Sequence, residues 1–254
     1  MWNWQTWQDK SYLTCDLLSQ PHGFFTSAFH PFDGGHLTGA LHPEARSFFN
    51  KQVHGCALVA PGKPDDLPRS EEGLPEADGL LSTDSAQALW VKTADCTPVL
   101  IEDATTGQVA ALHAGWRSTA LEIVPQAIRA LVAQGSQLAD LRVALGPAIA
   151  GEVYQVGQEV ALQVGRTVTP PSLPDDQVLE QLLMEPEPAL LSDDKPNHLR
   201  LDGRKIILRQ LGLLGLRPEQ VAVAPHCTYQ EPERFFSFRR TGLKQNQWSG
   251  IVSR

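Results

Sequence analysis

Cys96 stands behind an aspartate and ahead of an apolar run in "KTADCTPVLIED", and His113 closes a second apolar run in "QVAALHAGWRS". A thiol and an imidazole at the ends of neighbouring strands share one rigid edge, where the sheet fixes the backbone and the side chains look out into loops. His54, in "NKQVHGC", is a third candidate, because the glycine after it allows close backbone approach. Two imidazoles and one thiolate make a three-ligand zinc set, and three protein ligands with one open position is the catalytic rather than the structural arrangement. The same residues also have plainer readings. A lone cysteine before an apolar strand serves as a small buried hydrophobe, and a lone histidine as a hydrogen-bonded partner in a core. Residue type and spacing leave both open.

Positioning such residues is the task of short apolar runs at regular intervals. "ALWVKT" (88–93), "TPVLIED" (97–103), "QVAALHA" (108–114), "LRVALG" (141–146) and "VAVAP" (221–225) are each of strand length, with "DATTG" a hairpin turn between the second and third. Leu121, Val124, Ile128 and Leu131 recur at helical spacing, with Ser118 as the expected N-cap and Pro125 either near the helix start or kinking it. A second helix is expected from Asp202 as N-cap through Ile207, Leu211 and Leu214, ending at Gly212 and Gly215. Segments 61–79 and 169–198 are dense in proline and acid and read as loops, the second holding a short helix from Val178 to Met184. Residues 1–20 read as an N-terminal extension whose Trp2, Trp4 and Trp7 pack on the chain's own core. Hairpin-like and helix-crossed connections together predict a mixed α/β (α+β) fold, a single domain over 1–254 in which a mixed sheet carries packed helices.

Composition excludes several classes. The 254 residues carry 21 basic and 29 acidic side chains, a net charge of -8, with no basic block to track a nucleic-acid backbone. No run approaches the roughly 18 apolar residues of a membrane span, and the N-terminus lacks a signal-peptide pattern, so a soluble cytoplasmic protein is expected. The four cysteines, Cys15, Cys56, Cys96 and Cys227, are scattered without a C-x-x-C pair, which argues against a disulfide framework or a zinc ribbon. A multicopper oxidase would need many paired histidines, yet the eight histidines contain no H-x-H, and Met1 and Met184 alone could supply an axial thioether.

"KQVHG", "KTADCTPVLI", "LHAGWRS", "ALGPAIAGEVYQVG" and "CTYQEPERFFSFRR" together resemble the YfiH family, named historically as polyphenol oxidase or laccase-domain proteins and now regarded as purine nucleoside phosphorylases. The resemblance runs from about residue 22 to 242. It implies a mixed α/β fold similar to cysteine hydrolases, and a zinc ion on His54, Cys96 and His113. It further implies phosphate-dependent cleavage of purine nucleosides to base and ribose 1-phosphate, with adenosine deamination as a side activity of the same zinc. Asp95, beside a ligand, is then a proton carrier or a partner orienting an imidazole, unless it is a turn residue capping local amides. Arg117 becomes a candidate phosphate contact, with a surface ion pair as its plainer role. Cys227 is expected close to the site but off the metal. Ser27 follows "FFT" where related sequences carry arginine, so Arg46, Arg117 or the C-terminal Arg239 and Arg240 are the candidates to hold phosphate instead. A thiol hydrolase using Cys96 and His113 without metal is the rival enzymatic reading.

Overall fold

The computed structural model describes residues 1–63 and 65–254. Its first strands are β1 (Trp2–Trp7), β2 (Lys10–Cys15), β3 (His22–Phe25), β4 (Arg46–Phe48), β5 (Leu58–Val59), β6 (Gly79–Leu81), β7 (Gln87–Thr93) and β8 (Thr97–Asp103). Then follow β9 (Val109–Ala114), β10 (Leu141–Leu145), β11 (Gln155–Gly157), β12 (Leu190–Ser192), β13 (His198–Leu201), β14 (Val221–Val223) and β15 (Gln247–Val252). The helices are α1 (Gly34–Leu41), α2 (Trp116–Ala120), α3 (Ile123–Ala133), α4 (Gln158–Gly165), α5 (Asp175–Met184), α6 (Gly203–Leu213) and α7 (Phe238–Thr241).

Two six-stranded sheets, ordered β1-β2-β3-β15-β7-β4 and β14-β10-β8-β9-β6-β5, pack face to face. Both are mixed: β4 runs parallel to β7, β10 to β14 and β5 to β6, and the other pairs are antiparallel. The strand period of two explains the layering. Leu89 and Val91 of β7 point toward Leu100 of β8 and Ala111 of β9, forming the inter-sheet core. Val99 and Ile101 point the other way, onto Ile123, Val124, Ile128 and Leu131 of α3 and Ile207 and Leu211 of α6. On the outer face of the first sheet, Ala88 and Trp90 meet Leu37 of α1. The Trp90 indole N–H, fully buried, donates to Thr38 Oγ1 at 2.9 Å, so its one polar atom is satisfied. Strands covered on both faces read as continuous apolar runs, which is why these were recognisable.

The expected mixed α/β arrangement is the observed one, and the "DATTG" turn closes the β8–β9 hairpin, with Asp103 Oδ1 accepting from the Thr105 and Thr106 amides. Asp202 caps α6 through the amides of Arg204 and Lys205, and Gly215 follows that helix with a left-handed φ of 92°. Three expectations are corrected. Ser118 is not an N-cap: it lies inside α2, and Glu122, in the left-handed region, separates α2 from α3. Pro125 is the third residue of α3, where its missing N–H would have had no intrahelical partner anyway. Segment 169–198 holds the expected short helix, begun three residues earlier at Asp175, and a strand that was not expected. It contains all of α5 and the strand β12, which joins β11 and β13 in a small antiparallel sheet. Val178 and Leu182 of α5 and Ala161 and Val164 of α4 bury that sheet's apolar face. Residues 1–20 are likewise no appendage, because β1 and β2 form a hairpin that extends the first sheet through β3.

The hairpin's tryptophans do pack on the chain itself. Trp2 lies 5.4 Å from Phe24, and Trp7 stacks on Phe29 at 6.3 Å. Deleting residues 1–10 should lower the melting temperature by about 5 °C or more, a loss on the order of 2 kcal/mol for a chain of this size. An unchanged melting temperature in thermal unfolding would show that the hairpin is dispensable.

Candidate active site

The strand order β8-β9-β6 places three residues side by side at one end of the second sheet. Cys96 immediately precedes β8, whose Pro98 pairs with His113 of β9, and Asp78 immediately precedes β6, whose Gly79 pairs with Leu112. His54 comes from outside the sheet, in the loop before β5. The ligand atoms of His54, Cys96 and His113 all lie within 4.8 Å of one another. The two imidazoles meet edge to face, with ring centroids 4.7 Å apart.

Asp78, fully buried, holds this group together. Its Oδ1 accepts the His113 Nδ1–H at 2.7 Å and the His54 amide at 3.0 Å, while its Oδ2 accepts the Gly55 and Val53 amides at 2.7 and 3.1 Å. Its main-chain carbonyl accepts the His113 amide at 2.8 Å. One carboxylate therefore fixes the tautomer of one histidine and the backbone of the other. The loop needs that restraint, because His54 sits at a φ of 60°, a left-handed conformation that costs energy outside glycine. Gly115 lies against the same group: a Cβ there would stand 2.9 Å from Cys96 Sγ and 3.2 Å from His54 Cδ2.

The electrostatics follow from this packing. Burial alone would push the Cys96 thiol up, but the charge and hydrogen bond of His113, with help from His54, win and bring it down to about 6. Burial alone would lower His113, yet the Cys96 thiolate and the Asp78 carboxylate raise it to about 9. Asp78 is held below the ordinary carboxylate range despite its burial, by His113 and the Gly55 and Val53 amides. Both shifts run toward a thiolate facing an imidazolium. With Asp78 holding Nδ1–H, the other nitrogen of His113 is the one available to a metal. Two imidazoles and a thiolate form a borderline-soft donor set suited to zinc, and among the described residues no fourth ligand joins them.

The group opens on a cavity of about 520 Å³ between the ends of the two large sheets. Lys92 and Thr93 reach it from β7, Tyr154 from the loop before β11, and Phe238, Arg239 and Lys244 from α7 and the segment before β15. Asp95 lines it too, but each of its carboxylate oxygens already accepts a hydrogen bond, from Thr228 Oγ1 at 2.7 Å and from the Arg239 amide at 2.7 Å. With a φ of 91° and a carbonyl that accepts the Ile149 amide, Asp95 ties three loops to the rim. Neither oxygen caps a local amide; both are bound by residues more than a hundred positions away.

The expected arginines are dispersed. Arg239 lines the cavity, its guanidinium 4.9 Å from the centre of the Tyr154 ring. Arg240 instead donates to the carbonyls of Thr228, Tyr229 and Phe235, so it is a strut rather than a phosphate contact. Arg46 lies exposed on β4, over Phe48 and away from the cavity lining. Arg117 lies over Trp116 at 4.4 Å and is also outside that lining. Cys227 is buried and off the ligand group, its Sγ accepting the Ala150 amide at 3.2 Å. Asp78, Lys92, Tyr154, Phe238 and Lys244 escaped the sequence reading. Only Asp78 carried a signal, an acid next to a glycine at a strand start, in "EADGLL".

Asp78→Asn keeps the size of the side chain but replaces an acceptor with a donor, and it should weaken metal binding by roughly 10–100-fold, measured by competition with a chromophoric chelator. Gly115→Ala should weaken it too, by displacing Cys96 and His54. Wild-type metal affinity in both variants would remove Asp78 and Gly115 from any part in shaping the group.

Comparison with known proteins places the chain. It is 48% identical over 257 residues to a purine nucleoside phosphorylase of Synechocystis sp., covering 100% of this chain and 97% of that protein. It is 24% identical over 205 residues to an adenosine deaminase from an unknown prokaryotic organism, covering 79% of this chain and 72% of the other. Among solved structures, YlmD from Geobacillus stearothermophilus has the same fold, with a TM-score of 0.76 at 23% identity over 99% of this chain and 98% of that one. Residues 36–253 match the family model described as multi-copper polyphenol oxidoreductase laccase, and on a match of that extent the chain belongs to this family.

Proposed function

We propose that the protein is a zinc-dependent purine nucleoside phosphorylase. The observation that carries this reading is a three-ligand group, open on one side, at the base of a cavity that also presents Lys92, Arg239 and Lys244. The full-length similarity to a purine nucleoside phosphorylase supports it. In the reaction, a phosphate oxygen bonds to the anomeric carbon of the nucleoside, the carbon–nitrogen bond to the base breaks, and its electron pair leaves with the base. The products are the purine and ribose 1-phosphate. Zinc on His54, Cys96 and His113 would supply a Lewis acid with one open position.

The chain's own residues do the rest. Asp78 keeps the His113 proton on Nδ1 and so presents its other nitrogen to the metal. Lys92, Arg239 and Lys244 offset the charge of phosphate and draw it into the cavity. As positive charge builds on the sugar and negative charge on the base, by analogy with glycoside cleavage, a cavity walled by the two sheet ends limits competition from bulk water. Water in place of phosphate, directed at the purine carbon bearing an amine, would give adenosine deamination at the same site. The similarity to an adenosine deaminase supports that side activity.

The low Cys96 pKa beside His113 also favours a second reading, a thiol hydrolase in which Cys96 is the nucleophile. The multicopper chemistry in the family's name would need several clustered histidines, and among the described residues this one group of three is the sole candidate.

Purified protein of known metal content, incubated with inosine or adenosine with and without phosphate, tests the proposal. Phosphate-dependent release of base is expected, with activity and bound zinc falling together in Cys96→Ala and after chelation. Activity that survives chelation and disappears on thiol alkylation would replace phosphorolysis with the hydrolase.

A further inference from the structure

The segment from α7 to the start of β15 gives the cavity two exposed apolar side chains, Phe238 at 52% and Leu243 at 55%. Other aromatic groups nearby are already engaged. Phe236 packs edge-on against His30, Phe235 lies near His226, and one face of Tyr154 is covered by Arg239. Among the described residues the Phe238 ring makes no such pairing, so an aromatic face is left wet in a cavity. A flat occupant would take that face out of water and gain stacking contact.

The amides beside it are similarly divided. Gln52 spends its side chain on the β7 backbone, donating to the Lys92 carbonyl at 2.7 Å and accepting the Lys92 amide at 2.9 Å. Gln247 accepts the Phe236 amide at 2.8 Å. The side chains of Gln245 and Asn246, which also line the cavity, form no hydrogen bond among the described residues. A free carboxamide pairs a donor with an acceptor, the pattern that reads the edge of a purine.

The α7 end of the segment, which carries Phe238, is also held in place. Asp95 accepts the Arg239 amide, Ser237 Oγ accepts the Arg240 amide, and the Arg240 guanidinium binds three carbonyls. A platform fixed before the ligand arrives loses little entropy on binding.

We infer that this segment is the nucleobase subsite, resting on the phosphorylase reading: the purine stacks on Phe238, and Gln245 and Asn246 read its edge. Because each carboxamide offers both a donor and an acceptor, the subsite accepts 6-amino and 6-oxo purines alike, and both adenosine and inosine are substrates. On the edge formed by N7 and the 6-substituent a 6-oxo purine offers only acceptors whereas a 6-amino purine keeps a donor, so replacing both amides with carboxylates there biases the subsite toward the 6-amino base.

The test combines steady-state kinetics on the zinc-loaded protein with equilibrium titration of adenine. In Phe238→Ala the KM for inosine and for adenosine should rise about fivefold or more, the scale of a lost base–aromatic stack. The KM for phosphate, the bound zinc and the melting temperature should stay as in wild type, and Phe238→Trp should restore the nucleoside KM. The paired Gln245→Glu and Asn246→Asp variant should shift the kcat/KM ratio toward adenosine over inosine. An unchanged nucleoside KM in Phe238→Ala, an equal loss for phosphate, or failure of tryptophan to rescue would overturn the subsite. Adenine titration separates the two ideas. Adenine binding that weakens in Phe238→Ala, in a protein that releases no base, would keep the subsite and reject phosphorolysis. Wild-type protein that does not bind adenine would reject the subsite even if base is released.

Discussion

A single buried carboxylate orders the candidate active site. Asp78 accepts four hydrogen bonds through its side chain, three from the loop that carries His54 and one from the His113 ring. A carboxylate at zero exposure is stable only when its oxygens are fully engaged, and here the donors that engage it are the elements that need positioning. Removing it would release the His54 loop from a strained backbone and free the His113 ring to turn. The sheet contributes the other half of the constraint. Asp78, His113 and Cys96 lie on adjacent strand ends, so their spacing is set by strand pairing rather than by loop packing.

The cavity depends on a second junction of the same kind. Asp95 holds its own strained turn against the 146–153 loop, Thr228 and the first turn of α7. Two members of the candidate ligand group, Cys96 and His113, thus belong to the second sheet and His54 to the loop before β5, while the cationic and apolar wall is delivered by strand ends and loops of the first. Asp95 sits where the two meet. A site split between two sheets in this way has two of its donors at rigid strand ends, the third on a loop pinned by Asp78, and its wall on separate segments.

What the sequence disclosed follows from how local each signal is. The strands β8, β9, β10 and β14 of the second sheet were legible because they are short apolar runs bounded by turn residues, and α6 because Asp202 is a strong cap. The break between α2 and α3 was not, since it rests on Glu122 adopting a left-handed backbone that its residue type does not announce. Segment 169–198 hid the first turn of α5 and all of β12 because its prolines fall just outside these elements rather than within them. At the site, Cys96 and His113 stood at strand ends, His54 stood before a glycine, and the family resemblance joined the three as one ligand set. Asp78 showed only as an acid beside a glycine at a strand start, because its importance lies in contacts to residues 23 to 35 positions away. The arginines were misleading for the opposite reason: a guanidinium is an obvious phosphate ligand on paper, but Arg240 is committed to backbone carbonyls.

The placement of β15 has a consequence for how the protein is made. That strand lies between β3 and β7, pairing residues 249–251 with residues 22–24, and the segment just before it walls the cavity. During synthesis the N-terminal hairpin and β3 emerge early, but their sheet cannot join β7 until the residues of β15 have left the ribosome. Pairings across so many residues are slow to form, because the closure entropy of the intervening chain is lost before the contacts compensate. The residues of the candidate ligand group, 54 to 113, therefore leave the ribosome well before the segment that walls the cavity, and the core beneath them is completed only when Ile251 arrives.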